Sequence, residues 1–225
     1  MVVLFLAAMA AVAFAIARSA DQVHNERVRG AVHAAVDGHV RQIALIADDN
    51  ALWDDAARVV YGGLKDPEFL WSSWGSSSAD GRHYDTVVIL DQANVPLFAF
   101  RRGRAVRFDM AAYGAGMSAI VSRNPAAGHA TGGIVRGPEG LVIVGMAPIL
   151  PTSRMLDTIV PREGPYKLVF ARPFDAGAAA AIGGALGLGD VRFGRPVAPG
   201  ENSILIRDAV GAPLASVSWS GSGLG

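Results

Sequence analysis

From Ala17 to Tyr61 the chain contains no proline, and Gly30 and Gly38 are its only glycines there. Val28, Val32, Val36, Val40 and Ile43 recur every three or four residues, the spacing of one face of a helix. The expectation is a single long helix that stops near Gly62-Gly63, where glycine suits a helix C-terminus. On a helical wheel its last turns carry two apolar stripes. Ile43, Ile46, Asn50, Trp53, Asp54, Ala57 and Val60 form one, and Leu45, Leu52, Ala56 and Val59 the other. A helix apolar on two sides must be covered twice. One stripe is assigned to the domain's own sheet and the other to a partner copy, because Leu45, Leu52 and Val59 are spaced by sevens as in a two-helix seam. Asn50 and Asp54 fall one turn apart on the sheet-facing stripe beside Trp53. Polar groups placed there need partners, which makes that turn the first place to look for a site.

The chain extends N-terminally into a run without charge. Met1 to Ala17 ends at Arg18 and as a helix would cover roughly 25 Å, the lower limit for crossing a bilayer. An uncleaved anchor is favoured over a cleaved signal peptide. Ala15 and Ala17 offer an A-x-A pattern, but the basic leader of a signal peptide is missing. This run accounts for part of the 51% hydrophobic content and the positive mean hydropathy of +0.31. With 20 basic and 20 acidic residues the formal net charge is zero, unlike the basic footprint of a nucleic-acid binder. The absence of cysteine excludes disulfides and thiolate metal ligands.

Beyond Gly63 the pattern changes. Asp66-Pro67-Glu68 opens a short helix over Phe69 to Trp74, and the serine and glycine run to Gly81 reads as a loop. Tyr84 to Leu90 and Val95 to Phe100 flank Asp91-Gln92-Ala93-Asn94, a hairpin. A second hairpin follows the same Asp-x-x-(Asn/Gly)-x-Pro-Leu form, with Ile204 to Ile206, the turn Asp208-Ala209-Val210-Gly211, and Pro213 to Trp219. In both, Asp accepts backbone N–H bonds and Asn or Gly tolerates positive φ. Between them come a helix from Asp109 to Arg123, strands at Ile134-Val135, Leu141 to Met146 and Tyr166 to Phe170, and an alanine-rich helix from Asp175 to Leu186 with Asp175 as N-cap. The proline-bearing stretch from Pro148 to Pro165 reads as an exposed loop. This order predicts an α+β fold, a long N-terminal helix on a mostly antiparallel sheet. The expected division is an anchor over 1–17, the helix over 18–62, a globular domain over 63–220 and a tail over 221–225.

The run NALWDDAA, Asn50 to Ala57, resembles the signature turn of the fourth CHASE class, extracellular sensor domains of bacterial and archaeal membrane receptors. VVILDQANVPLFAF looks like that family's first hairpin, IVGMAPIL like its strand ending in Ala-Pro-Ile, and GPYKLVFARPFDAGAAAAIGGAL like its following strand and helix. The resemblance implies a PAS-like or Cache-like sensor outside the inner membrane. It also implies a cytoplasmic output such as cyclic-di-GMP turnover or a histidine kinase, although the chain holds no output motif.

Asn50, Trp53, Asp54, Tyr84 and Arg101 are the expected contacts of an unidentified small-molecule ligand. Tyr84 begins the first sheet strand. Arg101 leads a group with Arg102, Arg104 and Arg107 that suits a carboxylate or phosphate, or simply faces water. Trp53 has the alternative of an ordinary core anchor, and Asn50 and Asp54 that of bonding loop backbone. The histidines, among them His33 and His39, lack zinc-ligand spacing, so no metal is expected. No cofactor is expected either. G-x-S-x-G, the P-loop and H-E-x-x-H are absent, and Gly183 to Gly189 closes a helix where a dinucleotide fingerprint would open one. The expected function is a non-enzymatic, homodimeric, extracytoplasmic input domain. The alternative is a stand-alone anchored or secreted periplasmic binding protein.

Overall fold

In a computed structural model of the chain, residues 2–123, 129–197, 200 and 202–220 are described; for most residues up to Asp21 the backbone alone is. The anchor expected over Met1 to Ala17 therefore lies largely outside the described side chains, and the tail over 221–225 lies outside the described residues. Among the described residues no helix is long and apolar enough to cross a membrane.

The first helix, α1 (Val2–Ala51), lies across a six-stranded antiparallel sheet. Its strands are β1 (Thr86–Leu90), β2 (Pro96–Arg101), β3 (Arg104–Ala105), β4 (Thr131–Gly137), β5 (Gly140–Pro148) and β6 (Lys167–Pro173), in the order β3-β2-β1-β6-β5-β4. Both faces of this sheet are covered, so β1 is buried at all five positions and its side chains divide by alternation. Val87 and Ile89 join Ile43, Ala47 and Ala51 of α1, with Ile143, Leu168 and Phe170, in one core. Val88 and Leu90 join Met117, Ile120 and Val121, with Val144 and Val169, in a second. The helix over that second face is split. Asp109 caps a 3₁₀ turn (Met110–Tyr113), and Gly114, at φ +67°, separates it from α5 (Gly114–Val121).

Glycine decides how closely α1 approaches the sheet. Gly132 and Gly145 are direct cross-strand partners in β4 and β5. A Cβ on Gly145 would stand 2.5 Å from the Ile43 carbonyl carbon and 2.6 Å from the Ala44 nitrogen, and one on Gly132 3.2 Å from the Val40 carbonyl oxygen. The helix backbone rests in a two-glycine notch.

The single rod expected to run to Gly62 is broken. After Leu52 donates its N–H to Asp48 O, Trp53 turns extended (φ −157°, ψ 129°) and a second helix, α2 (Asp54–Tyr61), begins. Leu52 forms a parallel bridge with Leu150 just past β5. Trp53 N–H donates to Leu150 O at 3.2 Å, and Leu150 N–H donates to Ala51 O at 3.1 Å. At this point the expected helix gives way to a single β-bridge, because the chain just past β5 offers its backbone partners. The stop at Gly62 is as expected. The break also interrupts the seven-residue stripe: Leu45 is 61% exposed on α1, whereas Leu52 sits in the bridge and Val59 belongs to α2.

The serine and glycine run is a further departure from expectation. After α3 (Pro67–Leu70), capped by Asp66, the chain forms a π-turn (Trp71–Gly75) and then α4 (Ser76–Asp80). Its serines bond backward, Ser76 Oγ to Ser72 O and Ser78 Oγ to Gly75 O, a habit of serine inside helical turns. The stretch from Pro148 to Pro165 likewise contains a 3₁₀ turn (Arg154–Ile159).

The hairpin turns match their chemistry. Asp91 accepts from Val95 N, and Asp208 accepts from Val210 N and Ala212 N. Asn94 and Gly211 take the positive φ, 65° and 85°. A second sheet, β7 (Gly189–Gly194), β9 (Pro213–Ser220) and β8 (Ser203–Arg207) in that order, follows α6 (Ala176–Leu186). Asp175 caps α6 by accepting from Gly177 N and Ala178 N.

Candidate functional site: the helix joint and the ends of the sheet

The break between α1 and α2 is a joint stitched to the link between β5 and β6. Asp54 Oδ1 accepts from Thr152 N at 2.7 Å, Thr152 Oγ1 at 3.0 Å and Ser153 N at 2.9 Å. Asp54 and Asp55 also open the first turn of α2, where a negative charge meets the positive end of the helix dipole. The Ser153 amide is the largest of the influences that hold the Asp54 carboxyl below its usual pKa, and the Thr152 hydroxyl and amide and Arg58 add to it. At the far end of α2, Tyr61 OH donates to Ile149 O at 2.6 Å and accepts from Tyr166 N at 3.1 Å. The phenol therefore bonds the backbone on both sides of the β5–β6 link.

The five expected ligand contacts occupy separate places. Asn50 Nδ2 donates back to Ile46 O at 2.8 Å. Trp53 does not lie on the sheet. It is 40% exposed and tilts against Phe69, ring centres 5.1 Å apart. Asp54 is held by the loop. Tyr84 is buried, stacked on Phe170 at 3.8 Å, with its hydroxyl donating to Trp74 O at 3.3 Å. Arg101 lines a cavity of about 200 Å³ with Thr86, Arg102, Tyr113 and Glu139. Its Nη2 donates to Glu139 Oε2 at 2.6 Å, so its charge is already paired.

The periodicity of the helix gave no sign of Tyr61, whose role depends on a partner strand far along the chain. Burial pushes the Tyr61 and Tyr84 phenols up to about 12, from an ordinary value near ~10. An acid whose folded pKa is raised contributes stability that is complete below its unfolded pKa. That contribution is lost as pH rises through the folded value. Stability should therefore fall between about pH 10 and pH 12. The Tyr61→Phe variant should show a shallower alkaline loss, measured by denaturant midpoints across that range; an unchanged slope would contradict the buried phenol.

The sequence matches the model of the CHASE4 domain family over residues 35–193, more than half of the chain. Comparison with curated proteins finds no match. Among solved structures, the chain is similar to the periplasmic domain of Vibrio cholerae LuxQ. In one structure the TM-score is 0.48 at 11% identity, covering 87% of this chain and 98% of that one. In a selenomethionine form it is 0.48 at 12%, covering 85% and 95%. The family match spans the joint, the six-stranded sheet and α6, and it includes the NALWDDAA turn. The chain belongs to the CHASE4 family and is an extracytoplasmic sensor domain.

Proposed function

We propose that this sensor domain is the ligand-responsive input of an inner-membrane receptor, working as a homodimer through α1 and driving a cytoplasmic output such as cyclic-di-GMP turnover or a histidine kinase. The observation that carries this reading is the joint. The Leu52–Leu150 bridge ties the end of α1 to the chain just past β5, Asp54 ties the start of α2 to the β5–β6 link, and the notch at Gly145 ties α1 to the middle of β5. A change in the sheet must then be passed to α1, and shifts of about 1–2 Å at helix interfaces suffice to switch receptors of this design. Asn50, Asp54 and Tyr84 hold the frame that transmits the change, and residues 1–17 supply the anchor.

The chain contains no cysteine, so one introduced thiol reports on pairing without background. Leu45 is a large apolar side chain left exposed on α1. In membranes carrying the Leu45→Cys chain, mild oxidation should yield a band of twice the mass. The same treatment of a Lys65→Cys control, exposed beyond α2, should yield little. Equal cross-linking of the two, or none at Leu45→Cys, would refute dimerisation through α1.

A further inference from the structure

On the α1 side of the sheet, a cavity of about 500 Å³ opens between α1, α6 and the Asp85 end of β1. His39, Arg82, Asp85, Arg102, Arg172 and Asp175 are its titratable lining residues. The two carboxylates are already engaged. Asp175 caps α6. Asp85 accepts from Thr86 Oγ1 and stands 3.5 Å from Arg102 Nε as its ion-pair partner. Arg172 is different. It is half-buried, and among the described residues no carboxylate lies within ion-pair distance of it. Its Nη2 meets His39 Nδ1 at 2.8 Å. A guanidinium has only N–H groups to offer, so His39 is the acceptor and its imidazole is neutral. Burial first, and the Arg172 charge second, hold the His39 pKa below its usual value. Desolvating a cation beside a neutral ring is unfavourable without a counter-charge.

We propose that this cavity binds a small anionic molecule presenting a carboxylate or phosphate group to Arg172, with Arg82 at its mouth. Guanidinium groups grip such oxygens in pairs. The volume falls within the about 300–1,000 Å³ of small-molecule sites, which the Arg101 cavity does not reach. Because His39 lies on α1 and Arg172 on β6, an anion here changes the contact between the helix and the sheet. This deepens the proposed sensing function by placing its ligand, and it rests on that reading only for the consequence of binding.

The test is calorimetric titration of the full chain in nanodiscs, in chloride buffer at fixed ionic strength, with succinate and separately with inorganic phosphate as probes. At least one probe should give saturable heat at one site per chain. Arg172→Gln should weaken it by at least about tenfold and Arg172→Lys by less, since an ammonium cannot fork. Arg82 is exposed, so Arg82→Gln serves as the reading if Arg172→Gln fails to fold. Heat from succinate alone assigns a carboxylate, and heat from phosphate alone a phosphate. Saturable heat from neither, or unchanged affinity in the glutamine variants, overturns the proposal. Leu45→Cys cross-linking does not depend on this outcome, so the two readings fail separately.

Discussion

Gly145→Ala should lower the stability of the domain by about 3 kcal/mol, the upper range for overpacking a core. In a protein of this size that corresponds to a fall in Tm of roughly 6–12 °C. The added methyl would stand 2.5 Å from both the carbon and the oxygen of the Ile43 carbonyl. Those are backbone atoms of α1, about two turns from its C-terminal end, and cannot swing aside as a side chain would. Either the helix lifts off β5 or the strand bends away from β6, whose Phe170 is paired with Gly145. Lifting the helix exposes Ile43, Ala47 and Ala51, all fully buried. Gly140→Ala is the matched control on the same strand, because no atom lies within 4 Å of its added carbon. That glycine has φ +136°, so its cost reports backbone strain alone. Thermal melts of the two variants separate helix seating from glycine conformation. An undiminished Tm for Gly145→Ala would show that α1 is not seated as described.

The notch explains why the helix was readable and its docking was not. Periodicity along Val32, Val36 and Ile43 records which face is apolar, and those residues are buried. The paired glycines that set the approach distance are in strands far along the chain. Nothing local in Gly132 or Gly145 says which backbone will lie against them. The hairpins were legible because their chemistry is local. Asp91 and Asp208 bond amides within four residues of themselves. The second sheet was half legible. Ile204 to Ile206 and Pro213 to Trp219 showed their pairing, but β7 is Gly-Asp-Val-Arg-Phe-Gly, whose alternation rests on Val191 and Phe193 alone, between glycines. It becomes a strand because β9 offers it an open edge.

The site is where local reasoning lost most. Wheel geometry placed Asn50, Trp53 and Asp54 on one surface, and that holds only while the helix is continuous. Adjacent acids also suit the first turn of a helix, and Asp54-Asp55 opens α2 in that way, directly after Trp53. Without knowledge of the β5–β6 link, neither pattern could be preferred. The same missing information hid Tyr61, whose hydroxyl meets Ile149 and Tyr166, and Arg172, whose isolation from carboxylates is a property of the assembled sheet.

Asp54 tests whether the joint is a latch. Replacing it with alanine removes the acceptor of the Thr152 and Ser153 amides and of the Thr152 hydroxyl at once. Hydrogen bonds to a charged acceptor are among the stronger ones in proteins. In native-state hydrogen exchange, the Thr152 and Ser153 amides should lose protection by at least about tenfold in Asp54→Ala. Amides of β5 between Ile143 and Met146 should be unaffected, since their partners lie in β4 and β6. Asp54→Asn keeps the shape of the side chain and loses its charge, so its protection should fall between the two. Acid should reproduce the alanine result in the unmodified chain. The folded carboxyl is held below its ordinary pKa, so its contribution is present above the unfolded value and disappears as pH falls through the folded one. If those two amides exchange alike in both proteins, or show no acid dependence, Asp54 does not fasten the helix to the sheet. The path from sheet to α1 would then have to run through the Leu52–Leu150 bridge and the Gly145 notch.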